Sequence, residues 1–309
     1  MPELEQVQNK WVDPNGRLFI SRYASMIWVH HVLMDALSEE IRNRLEVRKL
    51  GSTGSGIAPA YGKTFDILDH ALQYTTKIKN DEYQTLAREL EKLNEERKDI
   101  TIEYALRNPN WYTAFVEREW NLIKKYFPKV SFDEIKKENN KQIALLRWRI
   151  DTGAIYLCDE RELIKSRIEK WEKFVWEGAQ AALISESHSI WWTKSNANIE
   201  AFCEATGIMP AQIANVFTVM KLPPSSVGTR PIDFMKYIET DVLKALRQKY
   251  QEFGVSTWRP RDIVKISLVE IARAVELIMK WMDQKMRDRI VPVLNRVDGL
   301  QDFAKLTDG

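Results

Sequence analysis

Basic and aromatic side chains alternate along residues 136–149 in a pattern suited to a phosphate backbone. Lys136, Lys137, Lys141 and Arg147 supply charge, and Trp148 and Arg149 stand side by side at the end of the run. Lysine and arginine neutralise phosphates, while an aromatic face stacks on any base, so such an array binds single-stranded nucleic acid without reading its sequence. A second array flanks residues 261–290, with Arg259 and Arg261 next to Trp258 before it and Lys285, Arg287 and Arg289 at its end. For each cluster the alternative is an ordinary amphipathic surface whose Lys and Arg stems cover apolar neighbours.

Residues 199–221 carry a different chemistry. The segment resembles a helix-turn-helix, with small Cys203 where two helices would cross, Gly207 in the turn, and Ile213 and Val216 anchoring the second helix. Gln212, Asn215 and Thr218 would then face outward, as side chains able to hydrogen-bond base edges. Few cations lie nearby to neutralise phosphates, which leaves a plain helical hairpin as the alternative.

No metal or cofactor site is expected. None of His30, His31, His70 and His188 has a Glu three residues before it, as a helical di-iron site requires. Asp66, Asp69 and His70 share about one helical turn, which reads as a solvated edge. The run from Gly56 to Gly62-Lys63-Thr64 looks like a phosphate loop but has five residues between its glycines where the nucleotide motif has four, and a helix rather than a strand is expected before it. With no Cys-x-x-Cys, Ser elbow or dinucleotide glycine pattern, the chain reads as non-enzymatic.

Composition sets the outer limits. The 309 residues are 44% hydrophobic and 29% charged with a formal net charge of +2, a globular balance that creates no overall pull toward polyanions or anionic lipid. Cys158 and Cys203 are far apart, which fits reduced thiols. No apolar run is long enough to span a bilayer, so the expected location is the cytoplasm or the interior of a virion, with no membrane partner.

The elements that would position these residues read as helices. Arg261 to Ile290 has the widest apolar face in the chain and one charged stripe, so it is expected to be a central post covered by other helices. Ser131 and Glu134 form a capping-box pattern, Asp159 opens a further helix, and residues 51–62, which begin with the flexible Gly51–Gly56 stretch, read as a hinge between two helices. The sequence thus predicts an all-α bundle of about nine to eleven helices around a central C-terminal helix. Its parts are an N-terminal arm at 1–20, an N-terminal helical lobe at 21–128 and a C-terminal helical lobe at 129–309. The function expected from these features is a self-associating, nucleic-acid-packaging protein of the viral nucleocapsid or coat kind. Subunits would link through the arm and an exposed tryptophan of the Trp191-Trp192 pair. The alternatives are a helix-turn-helix DNA-binding regulator using 199–221 and a helical scaffold.

Overall fold

In a computed structural model of the chain, the structure describes residues 15–44, 52–60, 101–108, 127–178, 198–227, 239–254, 258–279 and 282–304, with a few single positions between them. The first fourteen residues, the Trp191-Trp192 pair and the Asp66, Asp69 and His70 group lie outside them. The chain divides into two units, Met1–Val47 with Gly56–Phe174, and Arg48–Ser55 with Val175–Gly309.

In the first unit, β1 (Phe19–Ser21) pairs in parallel with β2 (Tyr156–Cys158), with Ile20 beside Leu157. Around this pair stand helices α1 (Val29–Arg44), α2 (Ile57–Ala60), α3 (Ile102–Arg107), α4 (Phe132–Asp151) and α5 (Glu160–Glu169). On α4 the buried positions Ile135, Asn139, Ile143 and Leu146 step by three or four residues in one stripe, with Ile135 and Ile143 against Trp28, Met34 and Leu37 of the α1 region and Leu146 against Ile102 and Ile155. Each fully buried aliphatic side chain there contributes about 1.5–3 kcal/mol. Asn139 is polar within this stripe because its Oδ1 accepts the Val29 backbone N–H at 3.1 Å, a donor the first turn of α1 leaves unpaired. Asp159 caps α5 by accepting from the N–H groups of Arg161 and Glu162, as its position predicts. At Ser131 the helix starts where expected, but without a side-chain cap hydrogen bond.

In the second unit, α6 (Ile199–Thr206) leads through a short 3-10 turn at Pro210–Gln212 into β3 (Val216–Lys221). Then come β4 (Ser225–Ser226), α7 (Asp241–Lys249), β5 (Asp262–Ile263), α8 (Leu268–Met279), α9 (Gln284–Arg287), β6 (Ile290–Asn295) and α10 (Leu300–Ala304). β3 and β6 run parallel over six residue pairs, from Val216 beside Ile290 to Lys221 beside Asn295. β4 and β5 pair antiparallel. Leu243, Leu246 and Ile263 form the buried cluster that seats α7 against β5.

The all-α expectation is therefore corrected: this is an α/β chain with parallel strand pairs. The central C-terminal helix does not form as one element, because the Arg261–Ile290 stretch breaks into β5, α8, α9 and the start of β6. Its apolar residues do not surround a post, since α8 has no fully buried residue and Leu268 and Val269 are exposed. Val291, Val293 and Leu294 include β-branched side chains at a two-residue period, which favours a strand, and Pro292 has no N–H to give to a helix.

Candidate active site at the carboxyl ends of β3 and β6

Parallel strands finish at the same edge, and here that edge collects charge. Lys221 is the last residue of β3 and Arg296 follows β6 directly, in a left-handed conformation at φ 60°. The chain leaves β3 through the cis Leu222–Pro223 peptide into β4, which pairs with β5 and so draws Arg261, the residue before β5, to the same edge. α7 ends at Lys249, and Gln251 at φ 52° turns the chain so that the Glu252 N–H donates to the Arg247 carbonyl at 2.9 Å. The Arg261 N–H in turn donates to the Glu252 carbonyl at 2.9 Å.

These connections bury the Glu252 carboxylate among three cations. Its residue is 2% exposed, and Oε2 accepts from Lys221 Nζ at 2.5 Å and from Ser225 Oγ at 2.8 Å. Oε1 accepts from Arg296 Nη1, and Arg261 Nε stands 3.8 Å from Oε2. Lys221 Nζ also donates to Ser225 Oγ. One carboxylate against three cations leaves an excess of two positive charges in a partly buried place, where fields are screened less than in water. Burial pushes the Lys221 ammonium below its ordinary pKa; Glu252 opposes that shift, while Arg261 and Arg296 add to it. Arg261 is the cation least committed to Glu252, because 3.8 Å is outside hydrogen-bond reach.

Arg247 supports this edge from below. It is 7% exposed, grips Glu239 with two hydrogen bonds at 2.8 and 3.0 Å, and donates Nε to the Arg261 carbonyl at 3.0 Å. The Arg247 hydrogen bond holds the Glu239 carboxyl below its usual range. A depressed folded-state carboxylate stabilises above its unfolded pKa, and that stability is lost as pH falls through the folded value. We therefore expect thermal melting to weaken below about pH 4, and Glu239→Gln to flatten that acid dependence while lowering the neutral-pH melting temperature. An unchanged acid slope in the variant would remove Glu239 from this account.

The matching edge of β1 and β2 has the opposite sign. Ser21 Oγ donates to Glu160 at 2.5 Å, Tyr23 Oη donates to Asp159 at 3.1 Å, and Arg22 pairs with Glu103 at 3.7 Å. Glu103 also pairs with Arg107 at 2.6 Å, so Asp159, Glu160 and Glu103 stand against Arg22 and Arg107 and the excess of positive charge seen at the β3–β6 edge is not repeated among these contacts. Burial, with Glu160 beside it, pushes the Cys158 thiol up and keeps it a weak nucleophile. Among the described residues no group of three or more His, Cys, Asp or Glu side chains could hold a metal ion.

Of the residues singled out by sequence, only Arg261 reaches the cationic edge. Arg259 lies nearby, where its carbonyl accepts the Gly254 N–H at 2.8 Å. Lys285 is exposed, Arg287 donates to the Met282 carbonyl at 3.2 Å, and Arg289 donates to the Ile213 carbonyl at 2.5 Å. Lys136, Lys137, Lys141, Arg147, Trp148 and Arg149 all lie on α4 in the other unit. There Lys136 is half-buried, Lys137 is exposed, Lys141 pairs with Glu138 at 3.5 Å, and Arg147 donates to the Leu106 carbonyl. Arg149 is buried, with its guanidinium 4.8 Å from the Trp148 ring centre. Ser225, Glu252 and Arg296 belong to no motif singled out in the sequence, and Lys221 closes the 199–221 segment without a role in the helix-turn-helix reading. The available signal is the alternating Val216–Lys221 run ending at Pro223-Pro224, which marks a strand feeding a turn.

The helix-turn-helix reading fails at its second helix. Gly207 does make a left-handed turn at φ 73°, but the chain then enters the 3-10 turn and β3. Gln212 is held locally, its side-chain oxygen accepting the Met209 N–H at 2.8 Å. Asn215 sits in the loop before β3, and Thr218 is buried in the strand at 7% exposure, where no base edge reaches it.

Comparison with known proteins agrees with this α/β architecture. Curated relatives include the adenylosuccinate synthetases of Salinibacter ruber, 27% identical over 282 residues, and Halothermothrix orenii, 28% identical over 277 residues. They cover 88% and 89% of this chain, which itself spans 55% and 56% of theirs. The solved structure of a fully ligated adenylosuccinate synthetase from Plasmodium falciparum superposes with a TM-score of 0.63 at 19% identity, over 90% of this chain and 56% of that one, and shares the fold. These relatives overturn the packaging, DNA-regulator and scaffold readings, with nucleic acid as the partner and a virion as the setting, and the non-enzymatic expectation. Among the described residues no helix is long and apolar enough to cross a membrane. The chain spans about half the length of the curated relatives it matches. Since the family model described as Adenylosuccinate synthetase matches residues 1–284, nearly the whole of this sequence, the chain belongs to the adenylosuccinate synthetase family.

Proposed function

We propose that this chain carries an anion-binding part of the adenylosuccinate-forming site, with Arg261 as the group that meets the ligand. The observation that carries this reading is the position of three cations around the Glu252 carboxylate at the carboxyl ends of two parallel strands. In open α/β sheets, ligands bind in the crevice beyond those ends. Adenylosuccinate bears a phosphate and the two carboxylates of its succinyl group, all of which are planar or tetrahedral oxyanions that a guanidinium fork can grip. Lys221 and Arg296 hold Glu252, and Glu252 keeps them from repelling each other when the site is empty. Arg261 presents its charge over this fixed base, with its backbone pinned by Arg247 and Glu252 and its Nε by the Phe253 carbonyl at 3.0 Å. Such a site is preorganised: no charged group has to be gathered at the moment of binding. A cytoplasmic location fits a synthetase of soluble nucleotides and is part of this proposal.

Isothermal titration of the full chain with adenylosuccinate tests it. Arg261→Ala is expected to weaken binding at least about tenfold, or ~1.4 kcal/mol, Arg261→Lys to recover part of that, and added salt to weaken the wild type more than the Ala variant. Equal affinity in Arg261→Ala and wild type, or no binding by the wild type at low salt, would overturn the proposal.

A further inference from the structure

Trp258 stands in solvent beside the cationic edge, in a backbone conformation that its side chain makes costly. It is 72% exposed and left-handed at φ 52°, a region that residues with a Cβ enter reluctantly. Two backbone bonds hold it there: its N–H donates to the Gly254 carbonyl at 2.9 Å, and the Gly254 N–H donates to the Arg259 carbonyl at 2.8 Å. The same antiparallel ladder continues through the Phe253–Pro260 bridge to Glu252 and Arg261, whose backbones are also joined. Trp258 and the cationic edge are therefore two ends of one short ladder. Trp171, the other described tryptophan in a left-handed conformation, closes a helix. Its N–H and that of Glu172 donate to carbonyls in the last turn of α5, where such a residue is usual. No helix ends at Trp258.

Among the described residues no ring or cation lies against the Trp258 indole, whereas Trp148 and Trp176, both about half exposed, already meet the Arg149 guanidinium and the Phe202 ring. A solvated indole with its faces open and its backbone already set is a stacking surface for a planar ring. Its Cα is at most about 10 Å from that of Arg261, three residues away, a span comparable to that from the ring to the phosphate of a nucleotide. We propose that Trp258 is a specificity-determining residue of this site, stacking its indole on the purine of the ligand whose oxyanion Arg261 holds. The inference rests on the anion-binding reading above and adds the class of ligand to it. Arg261 alone accepts any phosphate or carboxylate, and Trp258 selects those that carry a planar ring. A costly backbone conformation held in place by its surroundings is the kind that clusters at ligand-binding positions.

The test is adenylosuccinate titration of the full chain at low and raised salt, run side by side on wild type, Trp258→Gly, Trp258→Phe and Arg261→Ala. Trp258→Gly is expected to weaken binding roughly tenfold, or ~1.4 kcal/mol, within the range for losing one base stack. Its melting temperature should stay at or above that of wild type, because glycine enters the left-handed region without steric cost. Affinity and stability then move in opposite directions, which the loss of a purely structural side chain does not produce. Trp258→Phe keeps a ring and should recover most of the affinity. Salt should weaken binding by Trp258→Gly as steeply as by wild type, since the anion contact is intact, whereas Arg261→Ala loses that dependence. Adenylosuccinate should also quench the intrinsic fluorescence of the wild type, and Trp258→Phe should remove most of that quenching while still binding. Unchanged affinity in Trp258→Gly, affinity that falls together with the melting temperature, or quenching that survives in Trp258→Phe would each overturn the proposal while leaving Arg261 in its role. So would a loss of salt dependence in Trp258→Gly, which would make Trp258 a prop for Arg261. Absence of any binding by wild type would instead overturn the anion-binding reading, and this inference with it.

Discussion

Glu252→Gln is expected to lower stability by about 3–5 kcal/mol, the range for removing one partner of a buried ion pair. The substitution keeps shape and volume, so the loss is electrostatic. Glu252 is 2% exposed and, among the described residues, is the only carboxylate that pairs with Lys221, Arg261 and Arg296 at the edge of β3 and β6. Without its charge the three cations repel one another in a place that water screens poorly, and the Lys221 ammonium, already pushed down by burial, moves further down. Urea denaturation measures the loss. Adding Lys221→Met to Glu252→Gln should recover part of it, because the double variant removes one of the unpaired cations. Added salt should help the single variant more than the wild type. A single variant within about 1 kcal/mol of wild type would mean that Glu252 is not holding the cationic edge together.

The effect also separates the site's two roles. Glu252→Gln raises the positive field at the edge, so any folded fraction should bind an anion at least as tightly as wild type, whereas Arg261→Ala leaves stability nearly intact and weakens binding. Fold and function thus pull in opposite directions at Glu252, as expected where preorganised charge is held under repulsion.

Local signals in the sequence predict local structure and fail at distance. The Asp159 cap, the start of α4 at Ser131 and the Gly207 turn are all readable because each depends on a few neighbouring residues. β3 reads as the second helix of a hairpin because Ile213 and Val216 fit a helical spacing as well as a strand. A short apolar run has no period long enough to distinguish the two. The Arg261–Ile290 stretch misleads for a related reason. Its apolar width implies burial within a bundle, but in α8 no residue is fully buried and Leu268 and Val269 stand in solvent. The cationic edge is illegible for a different reason. Lys221, Glu252, Arg261 and Arg296 are up to 75 residues apart and meet only because parallel pairing aligns Lys221 with Asn295 and the β4–β5 pair brings Arg261 in. No local pattern encodes that meeting, whereas the Lys and Arg residues of α4 stand out because they are close in sequence.

Gly56→Ala is expected to cost about 3–5 kcal/mol, far more than the same change at Gly54, and the pair of variants separates two causes. Both glycines are left-handed, at φ 72° and 67°, where an L side chain costs about 1–2 kcal/mol. Around Gly54 nothing lies within 4 Å of a new Cβ, so Gly54→Ala should lose only that conformational amount. At Gly56 a Cβ would sit 2.8 Å from the carbonyl carbon of His31 and 2.8 Å from the Val32 nitrogen. Those are backbone atoms in the first turn of α1, and His31 is itself buried with its Nδ1 accepting the Trp28 N–H at 3.1 Å, so they cannot swing aside as the tip of a side chain would. Relief would require lifting the Gly56 turn, which breaks the hydrogen bond from the Gly56 N–H to the buried Asp35 carboxylate at 3.0 Å and leaves that charge without this donor. It would also pull buried Pro59 and Ala60 of α2 from their places. The glycine is therefore required by close packing of α2 on α1, and the segment acts as a clamp where its composition alone reads as a loose hinge. Denaturant midpoints of the two variants, measured side by side, decide the matter. A difference of less than about 1 kcal/mol between them would mean that α1 can yield at His31 and that Gly56 is needed for its backbone conformation alone.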